Sequence, residues 1–381
     1  AEMAAWEELK EPLAACMNGI KGWVNTLNEH RGRADALAEP LDQARIDRET
    51  LAAMMGAMED SFPTFERYFK AKAARFGQEA LPWWNLFAPV GKSEKTFTFD
   101  EAREFILKNF GTFSDELRDF TEGAFEKNWI DEEQRSGKRG GAFCMGVPAV
   151  KESRILCNFD GTLDQVMTIA HELGHGYHNF NMFQADKTML QRQTPMTMAE
   201  TASIMCETIV FNAILESVTD PDEELALLET ALIGDSQVIV DIYSRFLFEK
   251  EVFERREKSE LSADELCEIM DKAQAATYGE GLDPAFRHNY MWTWKPHYYS
   301  AGLSFYNFPY AFGMLFGIGL YAIYKERGAD FVPDYKKLLS STGEAPAAEL
   351  AARFGIDIRS RKFGADSLAV IGKRIDRYCE L

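Results

Sequence analysis

A histidine–glutamate motif carries the clearest chemical signal in this sequence of 381 residues. The segment TIAHELGHGYH contains His171, Glu172 and His175 in the pattern H-E-x-x-H. On a helix, residues four positions apart lie on one face, so both imidazoles can reach one ion while Glu172 stands beside it. The motif therefore predicts one zinc ion per chain, with Glu172 taking a proton from a water molecule at the ion.

A third zinc ligand must come from elsewhere, because catalytic zinc usually has three protein ligands. The candidates are His178, His288, His297 and an acid downstream. His178 lies two helical turns beyond His171, about 10 Å along the axis, which is too far to share the ion. Glu200 is the best candidate, because it is a lone acid in the apolar helical segment PMTMAETASIMCET. A carboxylate buried in such a segment is costly unless it is paired or bound to a metal.

Glu207 lies on the same predicted helix face as Glu200 and has two interpretations. It could accept a hydrogen bond from a ligand imidazole, as the partners of zinc-bound histidines commonly do. It could equally be a solvated helix residue. The residue types alone leave both hypotheses open.

The segment 288–313, HNYMWTWKPHYYSAGLSFYNFPYAFG, is rich in tyrosine hydroxyls. Attack of a metal-activated water on a carbonyl group places negative charge on the carbonyl oxygen, and donors that stay protonated at neutral pH stabilise that charge. Tyr306 and Tyr310 are spaced to share a helix face, although Pro309 lies between them and can distort the turn. The alternative is that these aromatic side chains simply form a core.

The elements around the motif are predominantly helical. Apolar residues recur at helical spacing in 1–30, 47–75, 100–128, 195–217, 262–277 and 366–379, and segment 220–258 predicts one long amphipathic helix. Capping patterns predict helix starts at Thr98, Thr162, Asp220 and Ser262. Segment 135–160 is the exception: glycines followed by short apolar runs predict a turn and two short strands just before the motif helix. Within this turn, Lys138 or Arg139 could contact a substrate, or GKRGG could be a plain surface turn.

Composition excludes several classes of partner. The formal net charge of −19 argues against nucleic acid. Six cysteines without a CxxC pair predict free thiols and a cytoplasmic location. Segment 301–324 lacks charged residues, but its polar residues, its proline and its flanks without basic clusters predict a buried helix and no membrane partner. No sharp domain boundary is visible. We expect one catalytic region, 1–381, with a helical segment 1–95, a zinc-binding core 96–326 and a helical segment 327–381.

Together these motifs resemble the family of thimet oligopeptidase and oligoendopeptidase F, and more closely its bacterial oligoendopeptidase F branch. The resemblance rests on HELGHGYH, on AETAS with its glutamate 25 residues later, on GKRGGAFC upstream and on KPHYY and FYNFPYAFG downstream. It extends from about Thr96 to Tyr324. Family members are usually longer at the N-terminus, and the chain begins at Ala1 rather than at a methionine, so a portion of one lobe is expected to be missing.

The resemblance implies a mainly α, large multi-helix zincin-type fold with a small β element at about 140–160 beside the active-site helix, and two lobes flanking a deep channel. It implies a zinc-dependent endopeptidase that cuts internal bonds of short oligopeptides. The metal ligands would be His171, His175 and Glu200, with Glu172 as the general base. His297 and Tyr310 would stabilise the oxyanion, with Tyr306 and Tyr299 competing for the tyrosine role.

Two other functions remain open from the sequence. A zinc carboxypeptidase of related helical fold would need a basic residue for the terminal carboxylate, and Arg287 or Lys295 could serve. A non-catalytic zinc-containing peptide-binding scaffold is the other alternative, although an intact Glu172 argues against it. The oligomeric state is not predicted.

Overall fold

The computed structural model describes residues 1–91 and 96–381, so the last four residues of the predicted helical segment 1–95 lie outside the described residues. The predicted mainly α fold with a small β element is confirmed. The strands are β1 (Ile130–Asp131), β2 (Phe143–Val147) and β3 (Glu152–Leu156). The helices are α1 (Glu2–His30), α2 (Ala38–Ala44), α3 (Arg48–Arg75), α4 (Phe99–Phe113), α5 (Asp115–Glu126), α6 (Leu163–Gln184), α7 (Met196–Ala199), α8 (Thr201–Ser217), α9 (Pro221–Ser236), α10 (Ile242–Arg256), α11 (Ala263–Tyr278), α12 (Phe308–Arg327), α13 (Val332–Ser341), α14 (Ala347–Ala352) and α15 (Arg361–Glu380).

The predicted helix starts follow local capping chemistry in three of four cases. Thr98 and Ser262 each form a reciprocal capping box with the glutamate three residues later. Asp220 accepts hydrogen bonds from the first backbone N–H groups of α9. Thr162 does precede α6, but its hydroxyl donates to Asp160 Oδ1 at 2.6 Å instead of capping the helix. The expected capping interaction of Thr162 is therefore wrong, although the position of the helix start is right.

Several helices are interrupted at positions where the apolar helical pattern of the sequence continues. Segment 100–128 forms two helices because Ser114 has extended backbone and its hydroxyl accepts from the N–H of Leu117. Segment 220–258 contains a π-helical turn at Gln237–Asp241 between α9 and α10. Segment 195–217 is interrupted at Glu200, between α7 and α8. Periodicity therefore predicted the helical content but missed the breaks.

The chain divides into two compact units, and unit 1 comprises residues 1–90, 231–311 and 371–381. Its core includes the packing of α1 against α10 and α11 around Trp292 and Tyr298. Inside this core, Lys21 Nζ lies 2.5 Å from Glu249 Oε1, and both side chains are almost fully buried. The second carboxylate oxygen of Glu249 accepts from the backbone N–H of Phe305 at 2.9 Å. The buried ion pair thereby fixes the chain just before Tyr306.

Unit 2 comprises residues 91–230 and 312–370, of which 92–95 are not described. Its centre is the packing of α6 on α8, with α4, α5 and α13 around them. The sheet has the order β1-β3-β2, with β3 parallel to β1 and antiparallel to β2. Both β2 and β3 pack against α6, so the small β element lies beside the motif helix, as predicted. The predicted division into 1–95, 96–326 and 327–381 and the predicted two-lobed channel stay predictions.

Within the described residues, one helical segment, Met196–Ser217, has the length and apolar composition of a membrane span. In that segment, 61% of the apolar window is buried inside the fold, as in the core helix of a globular domain. The uncharged segment 301–324 contributes to α12, which begins only at Phe308. Pro309 therefore stands in the first turn of α12, where a missing N–H costs nothing.

Candidate metal centre

The structure brings the three predicted zinc ligands together in unit 2. His171 and His175 lie one turn apart on α6, with their ring centroids 4.9 Å apart. The Nε2 atoms of these two rings lie 3.2 Å and 3.5 Å from Oε2 of Glu200. One ligand atom from each of the three residues lies within 4.8 Å of the other two. Two imidazole nitrogens and one carboxylate oxygen form a donor set typical of catalytic zinc, so the residues present fit the metal.

Glu200 reaches the two histidines because close helix packing brings its backbone near α6. The residue lies at the junction of α7 and α8 with φ −87° and ψ 4°, not inside one helix as expected. A side-chain carbon at Gly174, within the motif itself, would lie 2.6 Å from the carbonyl oxygen of Ala202. A carbon at Gly313 on α12 would lie 2.9 Å from Cβ of Glu200. The glycines therefore allow a backbone approach that any larger residue would prevent.

Hydrogen bonds orient the ligands from outside the donor set. Nδ1 of His171 lies 2.9 Å from Oε2 of Glu207, which leaves Nε2 of the same ring directed at Glu200. The hydroxyl of Ser203 donates to Oε2 of Glu200 at 2.6 Å. Of the two hypotheses for Glu207, the structure therefore supports the hydrogen bond to a ligand imidazole, an arrangement that fixes the tautomer and orientation of zinc-bound histidines.

The electrostatics of the centre follow from burial and from the three carboxylates. Burial lowers the pKa of His171, but its hydrogen bonds to Glu200 and Glu207 outweigh burial and raise the pKa to about 10. Burial raises the pKa of Glu200, but its interactions with the two histidines dominate and hold the pKa at about 2. Burial lowers the pKa of His175 to about 4 and raises that of Glu172 to about 7.

Glu172 shares a cavity of about 650 Å³ with the three ligands. Its carboxylate is largely buried, and Phe143 and Cys144 of β2 line the same cavity. Burial raises the pKa of the Cys144 thiol to about 12, so this cysteine stays protonated at neutral pH. Within the described residues, β2 pairs with β3 along one edge only. An unpaired strand edge beside the cavity can accept an extended peptide by backbone hydrogen bonding.

The other histidines considered as ligands have different roles. His178 is buried and lines the same cavity, but it is not one of the three clustered ligands, and its Nε2 lies 2.8 Å from the hydroxyl oxygen of Thr342. His288 belongs to unit 1, where its Nε2 lies 3.1 Å from Oε1 of Glu2.

Lys138, which the sequence offered as a substrate contact, is unsuited to that role. Its ammonium is enclosed by Asp131 and the carbonyl oxygen of Glu133.

The predicted oxyanion donors lie in unit 1 and are described there by themselves. The hydroxyl oxygens of Tyr306 and Tyr310 lie 2.9 Å apart, and the rings of His297 and Tyr306 have their centroids 5.8 Å apart. His297 is buried, and its Nε2 has no hydrogen-bond partner among the described residues. Burial, with the nearby charges of Arg245, Lys21 and Lys295, lowers the pKa of His297 to about 3, so its ring is neutral.

Tyr299 is the weakest of the three competing tyrosines. Its hydroxyl donates to the backbone carbonyl of Trp292 at 3.1 Å, so its proton is already engaged. Tyr306 and Tyr310 remain the better candidates. The catalytic roles of His297, Tyr306 and Tyr310 stay predictions.

Sequence reasoning missed one basic residue of the centre. Arg192 lines the cavity together with the metal ligands and Glu172. It lies in the polar segment LQRQTP between α6 and α7, where no periodic pattern or motif distinguishes it. Only the three-dimensional arrangement shows where its guanidinium points.

A helical fold with a short sheet beside an H-E-x-x-H helix, whose two histidines lie next to a carboxylate, is typical of zincin-type metallopeptidases. The sequence profile of Peptidase family M3 matches residues 2–370, and the chain belongs to this family. Among curated relatives, the Oligoendopeptidase F homolog of Lactococcus lactis is 25% identical over 327 residues, covering 84% of this chain and 52% of that protein. Oligopeptidase PepF of Bacillus subtilis is 20% identical over 376 residues, covering 98% of this chain and 55% of that protein. The predicted resemblance to the oligoendopeptidase F branch is therefore confirmed.

Solved structures show the same fold. A peptidase structure from Chlamydophila abortus has a TM-score of 0.89 at 21% identity, covering all of this chain and 63% of that one. Oligoendopeptidase-F from Enterococcus faecium has a TM-score of 0.75 at 19% identity, covering 99% of this chain and 61% of that one. The chain spans about half the length of the curated relatives that it matches.

Proposed function

We propose that this chain is a zinc-dependent endopeptidase that hydrolyses internal bonds of short oligopeptides. The observation that carries the proposal is the convergence of His171, His175 and Glu200 in one cavity with Glu172, which is not among the three ligands. A scaffold with a structural zinc needs four protein ligands and no adjacent base. Three ligands and a nearby carboxylate instead match a centre that holds a reacting water molecule.

When bound, zinc supplies Lewis-acid chemistry, polarising the substrate carbonyl and making a water molecule more acidic. Glu172 accepts the proton of the attacking water and later donates it to the leaving amine. Glu207 and Ser203 hold His171 and Glu200 in their orientations throughout. The substrate backbone pairs with the free edge of β2, which places its scissile bond in the cavity.

His297 and Tyr310 donate hydrogen bonds to the carbonyl oxygen as negative charge develops on it, with Tyr306 supporting Tyr310 through their shared hydrogen bond. Two observations support these roles. The neutral ring of His297 has an Nε2 without a partner among the described residues, and in the tautomer that carries its proton on Nε2 it can donate a hydrogen bond while the ring stays neutral. A tyrosine hydroxyl likewise remains a donor at neutral pH.

The test uses an internally quenched peptide of about ten residues, blocked at both ends. We expect zinc-loaded protein to cleave it and a chelator to abolish the cleavage. Glu172→Gln should lower kcat by at least about 100-fold, because general base catalysis contributes that much or more, while metal analysis still finds zinc bound. Glu216→Gln is the control, since Glu216 is exposed on α8. Full activity of Glu172→Gln would rule out the proposed mechanism.

The same assay separates the two alternatives. A zinc carboxypeptidase would leave the doubly blocked peptide intact and cut the same sequence with a free C-terminus. A zinc-containing scaffold would bind both peptides and cut neither. Mass spectrometry of the products identifies the bond that is broken.

A further inference from the structure

Among the described residues that line the cavity of the metal centre, Arg192 is the one arginine, and no lysine lines it. The Nε atom of Arg192 is buried and has no hydrogen-bond partner among the described residues. No carboxylate of the described residues forms an ion pair with the guanidinium of Arg192, and the carboxylate of Glu200 in the same cavity pairs with His171 and His175 instead. Its guanidinium carbon lies 5.3 Å from the ring centroid of Phe183 on α6. The side chain is thus held by an aromatic face, while its hydrogen-bonding capacity toward an anion is unused.

The backbone around Arg192 is fixed on both sides. The hydroxyl of Thr188 donates to Oε1 of Gln191 at 2.9 Å, and the N–H of Arg192 donates to the carbonyl oxygen of Thr188 at 3.1 Å. The segment is also tied to the end of α13, where the hydroxyl oxygens of Thr194 and Thr342 lie 2.9 Å apart. A turn closed in this way fixes the backbone that carries Arg192 before a ligand arrives, which reduces the entropy lost on binding.

The segment carries two further ties to the same region. Lys187 forms an ion pair with Glu344. A side-chain carbon at Gly343 would lie 2.1 Å from the carbonyl oxygen of Gln191, so the two backbones are in direct contact. Contacts with residues 343 and 344 therefore hold the turn that carries Arg192.

The absence of an ion pair is informative in a chain with 61 acidic and 42 basic residues. Other arginines of unit 2, such as Arg118, Arg135 and Arg327, pair with nearby aspartates. A planar guanidinium matches a carboxylate with two parallel hydrogen bonds, which are stronger than bonds between neutral groups. An arginine that lines the reaction cavity without such a partner is well placed to bind a carboxylate brought by a ligand.

We propose that Arg192 binds a carboxylate of the peptide substrate, so that the centre prefers peptides with an acidic group close to the scissile bond. This inference rests on the proposed peptidase function. The acidic group is either the C-terminal carboxylate of a short peptide or the side chain of Asp or Glu. Both sources present the same chemistry to the guanidinium.

Three matched quenched peptides distinguish the sources. The first is neutral near the scissile bond and ends in an amide, the second has the same sequence with a free C-terminal carboxylate, and the third replaces one Gln by Glu and keeps the amide. Placing the changed group one to three residues from the scissile bond, on either side, maps the distance that Arg192 covers. We expect kcat/KM to be about 10-fold to 100-fold higher for one acidic form than for the neutral peptide, the range for a hydrogen bond to a charged group.

Arg192→Gln should abolish this preference, so that kcat/KM becomes equal for the acidic and the neutral peptide. Arg192→Lys keeps the positive charge but loses the planar pair of N–H donors, so it should keep a fraction of the preference. Arg118→Gln is the matched control, because it removes one exposed positive charge of unit 2 and should leave the preference unchanged. The inference would be overturned if the ratio of kcat/KM for the acidic peptide to kcat/KM for the neutral peptide were the same in the wild type and in Arg192→Gln. It would also be overturned if the wild type showed no preference.

A binding measurement keeps the inference testable if no peptide is cleaved. The zinc-loaded Glu172→Gln protein is titrated into fluorescent versions of the three peptides, and anisotropy gives their Kd values. Tighter binding of an acidic form that disappears in the double variant Glu172→Gln/Arg192→Gln supports the inference even where the endopeptidase proposal fails. Equal Kd values for all three peptides overturn it, whatever the catalytic result.

Discussion

At the scale of single residues, the carboxylate of Glu207 decides which nitrogen of His171 faces Glu200. Its Oε2 lies 2.9 Å from Nδ1 of that ring. Glu207→Ala removes the acceptor and frees the ring to rotate, so we expect zinc affinity to fall by about 10-fold to 100-fold. Competition with a chelating dye measures the Kd for zinc. Glu216→Ala, on the exposed side of the same helix, is the control and should bind zinc as the wild type does. An unchanged zinc Kd in Glu207→Ala would show that the hydrogen bond has no positioning role.

The residues of the centre differ in how far the sequence could identify them. His171 and His175 were predictable because the helical period alone places them on one face. The role of Glu207 was undecided, because periodicity gives its face but not its exposure or its partner. Arg192 was not predictable, because a single basic residue in a polar loop belongs to no periodic pattern or motif. Its proposed role depends on the absence of an acidic side chain next to it in the fold.

At the scale of elements, the approach of α8 to α6 depends on Gly174. A methyl group at this position would lie 2.6 Å from both the carbonyl oxygen of Ala202 and Cα of Ser203, which no side-chain rotation can relieve. Gly174→Ala should therefore move the start of α8 and destabilise the fold by about 1–3 kcal/mol, the usual cost of overpacking. Because Glu200 lies directly before α8, zinc affinity should fall together with stability.

Urea denaturation and zinc titration of Gly174→Ala measure these two effects. Gly123→Ala on α5 is the matched control, since a methyl group there would meet no atom within 4 Å. That control should be neutral or more stable by up to about 1 kcal/mol, because alanine favours helix over glycine. Wild-type zinc affinity in Gly174→Ala would show that the close approach does not position Glu200.

The same elements show where sequence reasoning loses accuracy. Apolar periodicity predicted helix over 100–128, 195–217 and 220–258, and these regions are indeed helical apart from short breaks. The break at Ser114 is a local helix cap, which the apolar period does not reveal. The breaks at Glu200 and at the π-helical turn Gln237–Asp241 have no side-chain cap, so no capping residue indicates where they fall. Local propensity cannot supply that information.

At the scale of the whole molecule, the division into two compact units was not visible in the sequence. Each unit collects residues from separate stretches of the chain. Three of the four boundaries fall within α9, α12 and α15, and the fourth lies between Val90 and Gly91, outside any helix. A boundary inside a helix carries no linker composition, so the usual signals of domain organisation are missing. The mainly helical class, by contrast, was predictable, since it needs only the sum of many local patterns.

Zinc also links the centre to the stability of the folded chain, because a ligand that binds only the native state stabilises it by mass action. Zinc at about 100 times its Kd should add about 2.7 kcal/mol to the free energy of unfolding, which calorimetry detects as a higher Tm than in chelator. Glu200→Gln removes a ligand and should lose most of this shift, whereas Glu172→Gln should keep it, because Glu172 lies outside the ligand set. The two variants make the same chemical change at two positions of one cavity, so their comparison separates zinc binding from catalysis. A zinc-dependent shift that survives in Glu200→Gln but is lost in Glu172→Gln would reverse the roles assigned to these two carboxylates.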